Sequence, residues 1–286
     1  MPERDGYIPG VPCWIDAQEP DPDAARPFYE QLFGWEFENV MPEDAGGVYH
    51  MARIRGGDVA AIGSVPDGAP PIAMWNTYVA VADADASAAK VRDAGGTVFM
   101  DPFDVMDAGR MSVVADPEGA MFCLWQAKEN FGAAVVNEHG ALNFNGLATR
   151  DPQAAERFYG AVFGWKLLPL KSGPMWVLPG YGDHLEEKTP GLRENMAQMG
   201  APEGFVDVVA QITPIAADDS DTPAHWAVTF AVDDAAATAA LAAQLGGDVV
   251  AGPFDAPWTR LAVIKDPQGA TFIAGQFVAE NAVAED

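Results

Sequence analysis

Positive charge is what this sequence has least of. Its 286 residues include 16 Lys or Arg against 42 Asp or Glu, a formal net charge of −26. A chain so short of cations cannot neutralise a run of phosphates, which excludes nucleic acid and anionic membrane surfaces as expected partners. The acids are scattered rather than blocked, so they read first as a solvated face, compatible with a cationic small molecule. Cysteine is scarce too. Cys13 and Cys123 lie in apolar, strand-like runs and are expected as buried free thiols of a reducing cytoplasm rather than a disulfide. No apolar run approaches the roughly 20 residues of a membrane span, and the opening MPERDGYIPG lacks a signal-peptide core. The expected location is cytoplasmic. Histidine is limited to His50, His139, His184 and His225, a thin supply for an imidazole-bound metal.

What is present is a folded, repeated chain. Hydrophobic residues make up 49% and aromatic residues 10%, which argues for packed cores rather than disorder. The length suits two domains. The stretch DPDAARPFYEQLFGW (Asp21 to Trp35) returns as DPQAAERFYGAVFGW (Asp151 to Trp165), 130 residues later. Asp21 and Asp151 are placed to cap a helix, Pro22 and Pro152 to occupy its first position, and Gly34 and Gly164 to end it. Ala25, Phe28, Tyr29 and Leu32 form an apolar stripe at near-helical spacing. Pro27 interrupts this pattern and is expected to disturb the first turn.

Taken in order, the first domain reads as strand VPCWIDA, the first helix copy, and the strands WEFENV, GGVYHMARI and DVAAIGSV. After the loop PDGAPP come strand MWNTYVAV, helix ADASAAKVRDAG, and strands GTVFMDPFDV, RMSVVAD and MFCLWQA. That is two βαβββ units within residues 1–128. Residues 129–141 read as a linker. Residues 142–286 repeat the order: the segment from Trp226 answers that from Trp75, and DPQGATF at Asp266 answers DPEGAMF at Asp116. The offset grows to about 150, so roughly 20 residues are inserted between Trp165 and Trp226. A helical insertion is expected at about 182–203, opened by Pro190 and ended by Gly200.

FYxxxFGW after a DP-capped helix, with DPxGxxF near each domain end, resembles the vicinal oxygen chelate superfamily over nearly the whole chain. That superfamily contains glyoxalase I, extradiol ring-cleavage dioxygenases and the bleomycin- and fosfomycin-resistance proteins. More narrowly, the chain is similar to a two-domain bacterial branch, some of whose members accompany polyketide-antibiotic biosynthesis. The resemblance implies an α+β fold of two tandem domains, each a curved mixed sheet around a cup with the helices outside. It also implies metal-ligand positions on the first, fifth and last strands of each domain. In the first domain these fall on Trp14, Asn76 and Cys123, and in the second on Phe144, Ala227 and Ile273. A further acid on the fourth strand would fall near Gly63. Hard and borderline cations need His nitrogen or carboxylate oxygen at such places, so no metal and no cofactor are expected.

Strand alternation puts Trp14 with Asp16, Asn76 with Tyr78, and Cys123 with Trp125 on the inward face of the first cup. Aromatics with a few polar groups suit a flat organic ligand, and the same aromatics would equally fill core volume. The first domain is therefore expected to hold the working pocket. The second, with Phe144, Ala227, Thr229 and Ile273, reads as filled core or as an apolar pocket capped by the inserted segment. Arg110 and Arg260 are expected to bridge Asp104 and Asp255. His184 and its acidic neighbours read as a solvated helix, and His50 and His139 as surface residues. Two functions stay open. One is a metal-independent protein of the glyoxalase/bleomycin-resistance type that sequesters or carries a planar aromatic metabolite. The other is an enzyme of secondary metabolism acting on an aromatic, polyketide-like substrate, with Asp16, Tyr78 or His225 as general acid or base. A lyase- or dioxygenase-type metalloenzyme with a non-standard site is a third, weaker reading. The expected partner is a small molecule, and the expected assembly a monomer or homodimer.

Overall fold

The computed structural model describes residues 3–42 and 46–282. The first domain runs β1 (Pro12–Glu19), α1 (Pro22–Phe33), β2 (Glu36–Asn39), β3 (Tyr49–Ile54), β4 (Gly57–Ser64), β5 (Met74–Ala80), α2 (Ala84–Asp93), β6 (Thr97–Val105), β7 (Gly109–Ala115) and β8 (Met121–Ala127). The second runs β9 (Leu142–Thr149), α3 (Pro152–Phe163), β10 (Lys166–Leu168), β11 (Met175–Val177), α4 (Tyr181–Lys188), α5 (Leu192–Gln198), β12 (Val208–Pro214), β13 (His225–Ala231), α6 (Ala235–Gln244), β14 (Asp248–Ala256), β15 (Thr259–Lys265) and β16 (Thr271–Phe277). Each domain is one eight-stranded mixed sheet, ordered β2-β3-β4-β1-β5-β8-β7-β6 and β10-β11-β12-β9-β13-β16-β15-β14. The fold is α+β with two tandem domains.

Both copies of the repeated helix form for the reasons legible in their sequence. The Asp21 carboxylate accepts the Ala24 N–H at 3.0 Å and Asp151 that of Ala154 at 2.9 Å. Gly34 and Gly164 then close the helices in the left-handed conformation, at φ 70° and 79°. Pro27 does not break α1. It sits on the exposed face, and the helix continues through Phe33. The inserted segment forms two helices, α4 and α5, where a single one from Pro190 was expected.

The repeated aromatics do not line a cup. They join the two domains. Phe28, Tyr29 and Phe33 of α1 pack against Phe272 of β16, with ring centroids 6.5, 6.1 and 5.8 Å away. Phe158, Tyr159 and Phe163 of α3 do the same to Phe122 of β8, at 6.4, 5.7 and 5.9 Å. Tyr29 donates its hydroxyl hydrogen to Asp266 at 2.9 Å, and Tyr159 donates to Asp116 at 3.0 Å. Each hydroxyl in turn accepts an indole N–H, from Trp75 and Trp226 respectively. Trp35 and Trp165 complete the symmetry by donating to the carbonyls of Gly140 and Gly10. Each DPxG aspartate thus anchors its own turn and receives a tyrosine from the other domain. A Tyr159→Phe variant leaves a buried carboxylate oxygen and an indole N–H unpaired. It is expected to lose about 1–3 kcal/mol in denaturant unfolding, and an unchanged midpoint would show that this bond does not hold the domains together.

Candidate functional site

In the first cup the structure brings the sequence-predicted residues together. Asp16, at the middle of β1, accepts hydrogen bonds from Tyr78 (2.6 Å), Asn76 (2.9 Å) and Tyr49 (3.0 Å). Trp14 donates its indole N–H to the Tyr49 hydroxyl at 2.9 Å. Trp125 donates to the Asn130 carbonyl at 2.9 Å and meets Tyr78 edge-on. Trp14, Asp16, Tyr78, Cys123 and Trp125 are all buried, with exposures of 4–8%. Trp125 lies so close over Gly109 that a Cβ there would come within 2.5 Å of the ring. Residues of the linker back this arrangement: Ala133 is fully buried and its N–H bonds the Cys13 carbonyl at 2.8 Å.

Burial governs the acid–base chemistry here. It raises the Asp16 carboxyl above its ordinary range, against the lowering effect of its three donors. It also drives Tyr78 and Tyr49 far upward, with the Asp16 charge adding to the effect. The Cys123 thiol goes up for the same first reason. Asp16 and Tyr78 therefore spend their polar atoms on each other and on the fold. The first cup is closed by its own side chains.

The second cup differs at the matching register positions. Asp16 faces Ala61 and Asn76 across its neighbouring strands, whereas Gly146 faces Gln211 and Ala227. Tyr78 and Ala80 pair with Cys123 and Trp125, whereas Thr229 and Ala231 pair with Ile273 and Gly275. Asp, Asn, Tyr and Trp are thus replaced by Gly, Ala, Thr and Gly. A cavity of about 610 Å³ opens, within the size range of small-molecule sites. Phe144, Met175, Gln211, Leu261 and Gly275 line it from the strands, and Met196, Met199 and Phe205 from the inserted segment. At the rim, Trp258 holds a left-handed backbone (φ 62°) and stacks on the exposed Phe277, with centroids 6.3 Å apart. A bulky residue in that conformation is strained, and such strain concentrates at binding sites. A second void of about 180 Å³ lies between Tyr7, Tyr181, Leu185 and Phe144.

The expectation of a working pocket in the first domain therefore meets a different distribution of space. The cavity of about 610 Å³ lies in the second cup, with residues of the insertion in its wall. The remaining candidates fall outside both floors. His225 is exposed at the start of β13, with Nδ1 2.9 Å from the Pro223 carbonyl. His184 stacks on Tyr181 in α4. His50 is buried, not superficial, 3.0 Å from Asp23. His139 and Glu138 of the linker reach the rim of the second cavity, where His139 accepts the Asp233 N–H and Glu138 pairs with Arg55. Arg110 bonds Asp85 and approaches Asp104, and Arg260 bonds Asp255, as structural bridges. Among the described residues no three His, Cys, Asp or Glu side chains converge on a metal-sized site. At the positions where the resemblance implies ligands, Trp14, Asn76, Cys123, Phe144, Ala227 and Ile273 supply no imidazole or carboxylate.

Two tandem domains, each an eight-stranded mixed sheet with its helices outside and the second carrying a helical insertion, define the fold. The glyoxalase/bleomycin resistance protein/dioxygenase superfamily model matches residues 14–124 and 141–273, and the chain belongs to that superfamily. It is 44% identical over 277 residues to "Putative glyoxylase CFP32" of Mycobacterium tuberculosis, covering 95% of this chain and 97% of that one. It is 36% identical over 281 residues to "Anthracycline biosynthesis protein DauV" of Streptomyces sp., covering 93% of each. Among solved structures, the Mn(II)-bound glyoxalase of Novosphingobium aromaticivorans superposes with a TM-score of 0.58 at 15% identity, covering 96% of this chain and 83% of that one. The 2,3-dioxygenase LapB of Pseudomonas sp. KL28 does so with a TM-score of 0.56 at 15% identity, covering 94% and 93%. These two likenesses concern the fold.

Proposed function

We propose that this glyoxalase-like chain binds a planar aromatic metabolite of secondary metabolism in its second cup, without a chelated metal. The observation that carries the reading is the cavity of about 610 Å³ in the second domain, lined by Gly275 where the first domain has Trp125. Its walls of Phe144, Phe205, Trp258, Leu261 and three methionines suit a flat, apolar ring system, because aromatic faces and adaptable thioethers both pack against such surfaces. The 36% identical relative named for anthracycline biosynthesis supports an aromatic, polyketide-type ligand. The positions where the fold family implies metal ligands hold Phe144, Ala227 and Ile273, none of which can donate. Two buried free thiols suit action in a reducing cytoplasm.

Enzymatic turnover is favoured by one feature, His139 at the rim, whose Nδ1 accepts the Asp233 N–H and so leaves Nε2 to serve a bound substrate. Titration with an anthracycline aglycone, followed by mass spectrometry of the recovered ligand, separates the two. Saturable binding with an unchanged mass supports sequestration or carriage, and a new mass supports an enzyme. Elemental analysis of the protein before titration completes the test. About one metal per chain, required for binding, would overturn the metal-free reading.

A further inference from the structure

We propose that Gln211 is the polar anchor of this cavity and selects an uncharged planar ligand carrying a hydroxyl beside a carbonyl. The inference rests on the ligand occupying the second cup, as proposed above. Gln211 sits in the middle of β12, paired to Met175 on one side and Gly146 on the other. Its amide has no protein partner among the described residues, while the neighbouring walls are Phe144, Met175 and Leu261. Gly146 leaves that amide uncovered: a Cβ added there would lie 3.7 Å from the Gln211 Cβ and 3.9 Å from its Oε1. The corresponding residue of the closed cup is Ala61, fully buried opposite Asp16. The free amide thus belongs to the open cup.

A carboxamide presents a donor and an acceptor side by side, and the complementary edge on a flat molecule is a carbonyl next to a hydroxyl. The carbonyl oxygen accepts from the Gln211 NH₂, and the hydroxyl hydrogen, bonded within the ligand to that carbonyl, is shared with Oε1. Charge points the same way. Glu138 at the rim pairs with Arg55 at 2.9 Å, Asp233 stands beside His139, and no Lys or Arg is among the described residues that line the cavity. A ligand that buried this amide without pairing it would forfeit the hydrogen bonds the amide makes to water.

The test compares two probes of one shape: a hydroxyanthraquinone with its hydroxyl beside the ring carbonyl, and anthracene, which has no oxygen. Wild type is expected to bind the hydroxyanthraquinone about tenfold to one-hundredfold more tightly. Gln211→Leu and Gln211→Met are expected to abolish that preference by weakening the hydroxyanthraquinone alone, and unchanged anthracene binding certifies their folded cup. Equal losses on both probes, or no loss on the oxygenated one, would overturn the anchor while leaving the pocket in place. A Gly146→Phe variant that binds both probes as wild type does would instead show that the ligand sits elsewhere. Failure of wild type to bind either probe would overturn both readings.

Discussion

A Gly146→Phe variant is expected to lose planar-ligand binding by about a hundredfold while remaining folded, whereas Trp125→Ala is expected to do the opposite. Gly146 lies in the central strand of the second sheet with no left-handed backbone, and an added Cβ meets only Gln211, at ordinary contact distance. The rest of the ring is expected to lie against Gln211, which lines the cavity. If it displaces roughly 100 Å² of ligand contact, the loss is about 2.5 kcal/mol at 25 cal/mol per Å², close to a hundredfold in Kd. The variant replaces a strand glycine with a residue of high strand preference that buries apolar area, so its unfolding midpoint should hold or rise. Trp125, by contrast, fills the first cup between Tyr78 and Gly109. Its truncation is expected to cost about 3–5 kcal/mol of stability and to leave ligand affinity within a few-fold of wild type. The checks are fluorescence titration and denaturant unfolding of both variants. A Trp125→Ala protein that stays stable but loses the ligand would move the pocket back to the first domain.

This contrast also shows what was legible in the sequence. The duplicated DP-capped helices, the two βαβββ units per domain and the DPxG turns all follow from local rules of capping, alternation and turn chemistry. They reappear as α1, α3 and the two eight-stranded sheets. Alternation likewise placed Trp14, Asp16, Asn76, Tyr78, Cys123 and Trp125 on one face, and Asp16 does bond Asn76 and Tyr78. Alternation says which way a side chain points but not how much space remains once its neighbours have arrived. Tyr49 was the missing residue: it comes from β3, two strands away from β1 in the sheet, and bonds both Trp14 and Asp16.

The second cup was harder to see for the complementary reason. Its defining residues are glycines, and a glycine inside a strand leaves no periodic signal. Setting Asp16 against Gly146 and Trp125 against Gly275 across the repeat is the observation that would have found it. Gln211 lay beyond even that comparison, because the repeat offset changes within the inserted segment just before it. The repeated aromatics carried the strongest signal in the chain, yet they serve the junction between domains. A motif can repeat because each half must grip the other, with no ligand involved. In this chain the duplicated aromatics hold the domains together, and the site proposed above lies among residues that differ between the copies.

That junction contains one break in its symmetry, and it leads to the second large effect. Glu19 at the end of β1 is fully buried, with neither carboxyl oxygen hydrogen-bonded to the protein, beside the Asp266 carboxylate. Thr149 occupies the matching place in the other half and donates its hydroxyl to Glu118. Burial first, and Asp266 second, push the Glu19 carboxyl from its ordinary 4.5 up to about 9. Asp266 itself accepts the Tyr29 hydroxyl and the N–H groups of Gln268, Gly269 and Ala270. At neutral pH the folded chain therefore keeps a proton that the unfolded chain releases, and stability falls as pH rises. The cost starts near the ordinary glutamate value, grows by about 1.4 kcal/mol per pH unit, and levels off once the folded group itself ionises. Glu19→Gln keeps the shape and removes the proton equilibrium. It is expected to be more stable than wild type by a few kcal/mol at pH about 8, with the difference shrinking toward zero near pH about 4.5. Denaturant unfolding of both proteins at the two pH values reads this directly. A difference of the same size at both would mean that Glu19 does not retain its proton in the fold, and that the carboxyl pair is not a source of alkaline instability.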